Sequence, residues 1–169
     1  IMVGTGRAAE LGVLFRKGDA LQSLHSVRMI AFDKTGTLTE GRPVLTDIQI
    51  APEFDEGTVL GWVAGAEAQS EHPVGRAIVA YAKTSGIDPG AVDDVQAVPG
   101  YGLQARVGAR TLVIGAARLM TRDGIAIPPD VKIAPGKTPI FVAIDGRFAA
   151  AHSVSDPVKR AAPEALPAL

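Results

Sequence analysis

The chain has 169 residues, 47% of them hydrophobic, which is enough for one domain with a core or for one domain plus part of another. Its formal net charge of −1 gives no basic surface for nucleic acid, so we expect no nucleic-acid partner. The absence of cysteine excludes disulfides and thiol–metal sites within this sequence. No apolar run reaches the roughly 18 residues that a membrane helix needs.

Both ends of the sequence read as parts of something larger. The first residues, "IMVGTGRAAELG", have neither the apolar core of a signal peptide nor an initiator-like start. The last residues, "DPVKRAAPEALPAL", have a helical pattern that is interrupted. We therefore expect the chain to be cut from a longer one.

The first predicted elements are a helix and a buried strand. Residues 7–24 carry leucines at helical spacing and favour an amphipathic, mostly helical segment. The next string, "VRMIAF" at residues 27–32, is a continuous apolar run that ends at Asp33. Such a run is typical of a strand covered on both faces, as in a parallel α/β sheet.

From about residue 44 the pattern changes to short strands and two helices. Residues 44–50 alternate as in a half-buried strand, a helical pattern follows, and a second helix begins at Pro73. Five further strands are predicted from runs between Gly and Pro residues: "DVQAVPG", "GLQARV", "RTLVIG", "PIFVAID" and "RFAAAHSV". A short helix near "AARLMTRDG" and a Pro- and Gly-rich loop interrupt them, and "IDGR" predicts a tight hairpin.

These patterns predict an α/β protein in two parts. Residues 44–150 form an α+β domain, an antiparallel sheet with helices on one side. This domain is inserted into a parallel α/β unit, of which residues 25–43 and 151–169 are the portions present.

Asp33 and the loop after it form the first candidate site. At the carboxyl end of a parallel strand a side chain projects into the crevice where α/β folds bind ligands. A carboxylate there can attack phosphorus and become an aspartyl phosphate. The next residues, Lys34, Thr35, Gly36 and Thr37, offer backbone N–H groups and hydroxyls for phosphate oxygens. An aspartate after an apolar run is, on its own, more often a turn residue, so that interpretation stays open.

The string "AEAQSEHPVGRAIV" at residues 66–79 holds the second candidate site. His72 stands directly before the helix that Pro73 begins, where free N–H donors favour phosphate. A neutral imidazole there can stack on a base or hydrogen-bond a nucleotide. A histidine before a helix is, on its own, more often a cap. His25 and His152 have no such context and are interpreted as structural.

Together these strings resemble one family. "DKTGTLT" resembles the phosphorylation motif of the P-type ATPases, and "SEHP" resembles the nucleotide-binding signature of their heavy-metal-transporting, P1B-type branch. Four other strings are similar to further segments of that branch: "VPGYGLQARV", "LVIGAARLM", "ELGVLFRKGDALQSL" and "SVSDPVK". The lysine motif of the calcium and sodium pumps is absent, and Gly75 after "HPV" favours the copper branch over the zinc and cadmium branch.

The resemblance implies a role for each part of the chain. Residues 1–24 would link to a membrane domain, and residues 25–43 and 151–169 would belong to a truncated haloacid-dehalogenase-like phosphorylation domain. Residues 44–150 would bind ATP. The residues implied to contact or admit the nucleotide are Glu67, His72, Pro73, Gly100, Gly102 and Gly115. Ala116 stands where the family usually has asparagine, which removes one possible polar contact.

The resemblance also implies Mg²⁺, held in part by the Asp33 carboxylate and the Thr35 carbonyl. The remaining aspartate of that site would come from a Gly-Asp-Gly motif that this sequence does not contain. We therefore expect this fragment to bind ATP weakly without turnover. Its expected partners are the membrane domain of its parent chain and that chain's metal-binding or actuator domains, with the fragment on the cytosolic side of a cell membrane.

Two other functions remain open at this stage. One is a soluble phosphatase of the same superfamily with a large cap. Such phosphatases usually carry a second Asp two positions after the nucleophile, and this position is Thr35 here. The other is a regulatory nucleotide-binding domain without catalysis. A missing acid–base residue suits a pump, since its phosphoenzyme has to persist long enough to drive a conformational change.

Overall fold

A computed structural model describes residues 2–168. The chain forms two compact units, and the boundary between them falls between Asp33 and Lys34. The first unit contains helices α1 (Met2–Glu10) and α2 (Gly18–Ser23) and a helical turn at Leu24–Ser26.

The helix predicted over residues 7–24 is therefore interrupted. Gly12 has a φ of 82°, and its amide donates to the Ala9 carbonyl while the Val13 amide donates to the Ala8 carbonyl. This is the glycine C-cap that ends many helices. The amphipathic pattern continues past Gly12, but the backbone does not continue as a helix.

The prediction of a buried strand at residues 27–32 is wrong for the described structure. These residues form no strand, and Met29 and Ile30 are 87% and 49% exposed. A parallel strand needs neighbouring strands for its backbone hydrogen bonds. The strands of the described residues all belong to one antiparallel sheet in the other unit, so this apolar run has no strand to pair with.

The second unit is built on a six-stranded antiparallel sheet with strand order β1-β6-β5-β4-β3-β2. The strands are β1 (Val44–Ile50), β2 (Asp94–Val98), β3 (Gly102–Val107), β4 (Arg110–Gly115), β5 (Thr138–Ile144) and β6 (Arg147–Ser155). All six were predicted. Strand β6 runs to Ser155, so the sheet extends beyond residue 150, where the sequence suggested a domain boundary.

Two helices cover one face of this sheet, as predicted. They are α3 (Glu56–Glu67) and α4 (Pro73–Thr84). Asp55 caps α3 by accepting the Thr58 amide at 2.8 Å. Leu60 and Ile78 of the two helices are completely buried and pack on the sheet.

The opposite face of the sheet carries a smaller core. It is covered by the short helix α5 (Ala117–Arg122) and by residues 123–137 of the loop predicted at residues 123–138, whose last residue begins β5. Leu119 and Met120 of α5 are completely buried there. The chain ends with α6 (Ala162–Ala165) and a turn at Leu166–Ala168. Among the described residues, no helix has the length and hydropathy needed to cross a bilayer.

His152 lies inside the sheet core. Its cross-strand neighbours are Ile48 on β1 and Ile140 on β5, and its side chain is completely buried. Neither ring nitrogen has a hydrogen-bond partner among the described residues. Burial lowers the pKa of His152 to about 4, because a charged imidazole would lose its hydration there.

Candidate nucleotide site

A cleft of about 740 Å³ opens on the second unit. Its lining comes from the end of α3, the start of α4, the β2–β3 loop and residues 114–118. Leu103, Ile114 and Ile140 of the sheet supply apolar surface. This volume lies within the roughly 300–1,000 Å³ that small-molecule sites occupy, and the mixture of apolar surface with a few polar groups is typical of them.

Glu67 is the buried polar group of this cleft. It is the last residue of α3 and is only 8% exposed. Burial raises the pKa of its carboxyl, and the hydrogen bond with Ser70 lowers it in part. The carboxyl group lies against Gly75 of α4, so a Cβ at position 75 would overlap an oxygen of Glu67. A buried carboxyl group with a raised pKa in a cleft is a candidate for ligand contact.

His72 both caps α4 and lines the cleft. Its Nδ1 accepts the backbone N–H of Val74 at 3.2 Å, so the neutral ring carries its proton on Nε2. The helix then begins at Pro73, as predicted. The two interpretations of His72 are therefore compatible, since the cap uses only one ring nitrogen.

Gly102 and Gly115 are direct cross-strand partners on β3 and β4. Gly102 has a φ of 147°, and a Cβ there would overlap the Ile114 carbonyl; one at Gly115 would overlap the Tyr101 carbonyl. The Ala116 amide donates to that Tyr101 carbonyl at 3.0 Å. The two glycines are thus required by backbone packing at the rim of the cleft, and with Gly100 they also line it.

Two residues of this cleft were missed in the sequence. Arg118 lines it and donates from Nη2 to the Gly100 carbonyl, and its guanidinium lies 5.3 Å from the centre of the Tyr101 ring. Tyr101 itself is 40% exposed. The sequence signal was faint: an arginine three positions after the glycine of "LVIGAARLM", in a helix too short to show a pattern.

The turn that follows Asp33 is held by the return segment "SDPVK". Gly36 has a φ of 78° within this turn, and its carbonyl accepts a hydrogen bond from Lys159 Nζ at 2.6 Å. Thr39 is only 2% exposed and donates to Asp156 at 2.5 Å. Asp156 also accepts the amides of Gly41 and Arg42. Two segments more than a hundred residues apart in sequence therefore define the shape of this turn.

A second, smaller cavity of about 180 Å³ lies beside this turn. Lys34 and Thr35 line it together with Asp156. It shares Val74 and Thr138 with the larger cleft. The turn therefore borders the cleft within the second unit, while Thr37 is exposed and lines neither cavity.

Asp33 is the last residue of the first unit and is exposed. The magnesium ligands predicted from the sequence, Asp33 and the Thr35 carbonyl, thus belong to different units. Among residues 2–168, no group of three or more His, Asp or Glu side chains is arranged to hold a metal.

The family model for haloacid dehalogenase-like hydrolases matches residues 27–169. The chain belongs to that family. Its whole length is also similar to P-type ATPases: it is 52% identical over 174 residues to "Copper-transporting ATPase 1" of Rhizobium meliloti (strain 1021). That alignment covers 100% of this chain and 21% of the relative, so the chain spans about a fifth of that protein.

Solved structures agree with this resemblance. A zinc-transporting PIB-type ATPase in the E2.Pi state matches with a TM-score of 0.76 at 28% identity, covering 99% of this chain and 28% of that one. The N-domain of HMA6, a copper-transporting P-type ATPase, matches with a TM-score of 0.55 at 25% identity, covering 68% of this chain and 99% of that one. The similarity to P1B-type ATPases inferred from the motifs is confirmed.

Proposed function

We propose that the cleft of the second unit binds ATP. The observation that carries this proposal is a buried carboxyl group, Glu67, in a cleft of about 740 Å³ that His72 and backbone glycines also line. Adenine is flat and largely apolar, and its amino group needs an acceptor in such a site. Glu67 supplies that acceptor, and Leu103, Ile114 and Ile140 supply apolar surface.

His72 is the second polar contact in this proposal. Its Nδ1 is occupied by the Val74 amide, which leaves Nε2–H as the ring atom that would donate to a ligand. This N–H donates to a ring nitrogen or a ribose oxygen, or the imidazole stacks on the base. Gly100 of the β2–β3 loop and Gly102 at the start of β3 have no side chain, so the ligand can approach the backbone there.

In the longer protein, Asp33 is the proposed phosphoryl acceptor. A carboxylate oxygen of Asp33 attacks the γ-phosphorus of ATP, the bond from that phosphorus to the bridging oxygen breaks, and ADP leaves with the electron pair. Thr37 and the backbone N–H groups of residues 34–37 would receive the phosphoryl oxygens. Mg²⁺, when bound, would neutralise charge on the transferred group, with Asp33 and the Thr35 carbonyl as its ligands from this chain.

In this proposal, the phosphorylation of Asp33 drives transport across a membrane. The Rhizobium meliloti relative described above is a copper-transporting ATPase, and the chain spans about a fifth of its length, 21%. We infer that the parent protein couples ATP hydrolysis to movement of a copper ion across a cell membrane. In that parent the present chain lies on the cytosolic side, joined to a membrane domain and near actuator or metal-binding domains.

Two substitutions of His72 separate binding from capping. His72→Asn keeps a good N-cap but removes the imidazole, whereas His72→Ala removes both. We expect both variants to bind ATP about five- to tenfold more weakly in calorimetric titrations, and only the alanine variant to lose thermal stability. Unchanged ATP affinity in His72→Asn would place the nucleotide elsewhere. Rapid Mg²⁺-dependent ATP turnover by this chain alone would contradict the view that its catalytic site is incomplete.

A further inference from the structure

Arg118 is the feature of the cleft that the proposed function does not yet use. Among the described residues that line the cleft, it is the single full cation. The charged groups of the opposite wall are acidic, namely Glu67 and Glu71. The cleft is therefore polarised, with acceptors on the helix side and one cation beside the β2–β3 loop.

The position of Arg118 is set by two contacts with that loop. Its Nη2 donates to the Gly100 carbonyl, and its guanidinium lies over the Tyr101 ring at 5.3 Å. The Gly100 contact uses only one of the several N–H donors of a guanidinium. No carboxylate among the described residues forms an ion pair with Arg118. The charge is oriented but not neutralised.

Arg122, on the same helix, shows the contrast. It also lies over Tyr101, at 5.6 Å, but its Nε is paired with Asp123 at 2.7 Å and it does not line the cleft. Asp123 in turn accepts a hydrogen bond from Gln104. One arginine of α5 is thus committed to structure, and the other has donors available at the cleft.

We propose that Arg118 binds the polyphosphate of the nucleotide. This inference rests on the proposed ATP site. A polyphosphate is repelled by Glu67 and Glu71 and attracted by a guanidinium, which matches phosphate geometry and forms strong charge-assisted hydrogen bonds. The nucleotide then lies with its base toward Glu67 and its phosphates at the β2–β3 loop. Ala116 beside it contributes only a methyl group, which leaves Arg118 as the charged side chain of this rim.

The test compares adenosine, AMP, ADP and ATP by calorimetric titration of the chain and four variants, Arg118→Ala, Arg118→Lys, Arg122→Ala and Lys34→Ala. Arg118→Ala should weaken ATP binding about five- to tenfold, because the phosphates lose a partner. The affinity for adenosine, which has no phosphate, should change by less than about twofold. Arg118→Lys retains the positive charge, so it should still bind ATP more tightly than adenosine, though by a smaller factor than the unmodified chain. Arg122→Ala should leave the ATP affinity within about twofold of that of the unmodified chain, since Arg122 does not line the cleft and is paired with Asp123.

Several outcomes would overturn the inference. Equal losses for adenosine and ATP in Arg118→Ala would mean that Arg118 only shapes the β2–β3 loop through Gly100. A different result would be ATP binding that is unchanged in Arg118→Ala and weakened in Lys34→Ala. That result would show that the phosphates bind in the smaller cavity, which Lys34 lines. If the unmodified chain binds adenosine as tightly as ATP, the cleft still binds a nucleoside and only the role of Arg118 fails. If it binds neither, the proposed function fails and this inference fails with it.

Salt dependence and folding provide independent checks. Added salt should weaken ATP binding to the unmodified chain more than binding to Arg118→Ala, because the variant has lost the charge that salt screens. Arg118 is exposed, so its removal should leave the thermal midpoint and the amide NMR spectrum of the second unit almost unchanged. An equal salt slope in the two proteins would count against a phosphate contact.

Discussion

Gly75 of α4 lies directly against the carboxyl group of Glu67 at the end of α3. A Cβ at position 75 would overlap a carboxylate oxygen, so glycine is what lets the two helices approach with the acid between them. Glu67 is buried because α4 covers it, and it faces the cleft because α3 ends at that residue. Together with the hydrogen bond to Ser70, this contact positions the acceptor proposed for adenine.

Gly75→Ala should therefore damage both stability and binding. The added methyl group has to displace the Glu67 carboxyl or separate the helices, which should cost about 1–3 kcal/mol in urea unfolding and weaken ATP binding. Gly57→Ala in α3 is the matched control, since its Cβ would make an ordinary 3.5 Å contact with Asp55. That change should be neutral or stabilising by up to about 1 kcal/mol. Equal stability of the two variants would contradict the close packing at Gly75.

Glu67→Gln should stabilise the nucleotide-free protein and weaken its binding of ATP. Burial raises the pKa of Glu67 above the 4.5 of the unfolded chain, so the folded state holds its proton to higher pH. The free energy of unfolding therefore falls as pH rises from 4.5 through the raised pKa, because an ionised carboxylate is then buried. Glutamine does not ionise and avoids this loss.

The measurement for Glu67→Gln is urea unfolding at pH 4 and pH 7, together with ATP titration at pH 7. At pH 7 the free energy of unfolding should be higher for the variant than for the unmodified chain, and the difference should shrink toward pH 4. ATP affinity should fall about five- to tenfold, as expected for a lost charge-assisted hydrogen bond. If the variant is less stable than the unmodified chain at pH 7, interactions in the folded protein offset the cost of burying the ionised carboxylate.

His152 should make the second unit sensitive to acid. The unfolded imidazole takes up a proton near pH 6.5, whereas burial lowers the folded pKa to about 4. Stability is therefore fully present above pH 6.5 and falls as pH drops from 6.5 to 4. The loss over this window should amount to about 3 kcal/mol in the free energy of unfolding.

His152→Leu tests this directly. Leucine fits between Ile48 and Ile140 and removes two ring nitrogens that lack partners among the described residues. The variant should be more stable at pH 7 and should show a flatter stability profile between pH 6.5 and 4. His25→Gln is the comparison, because His25 is exposed and its replacement should leave the profile unchanged. An unaltered profile in His152→Leu would assign the acid sensitivity to other groups.

Local patterns predicted the second unit well and the first unit poorly. The six strands and the start of α4 at Pro73 were predicted, since alternating side chains, turn residues and a helix-starting proline are local signals, although β1 pairs with β6 at the other end of the unit. The run at residues 27–32 has the composition of a buried strand, but burial requires parallel neighbours that the described residues do not contain. At Gly12, one residue with positive φ ended a helix that the apolar spacing alone would have continued.

Contiguous motifs were enough to predict the candidate site residues: the aspartate of "DKTGTLT", the histidine of "SEHP" and the glycines of the cleft. Side-chain type and spacing suffice there, because each motif is one local turn or helix start. Which distant groups meet became known from the fold. Packing of α4 on α3 buried Glu67 behind Gly75, and the β3–β4 pairing brought Arg118 to the Gly100 carbonyl. Contacts of that kind depend on chain crossings and close approach, which no local pattern records.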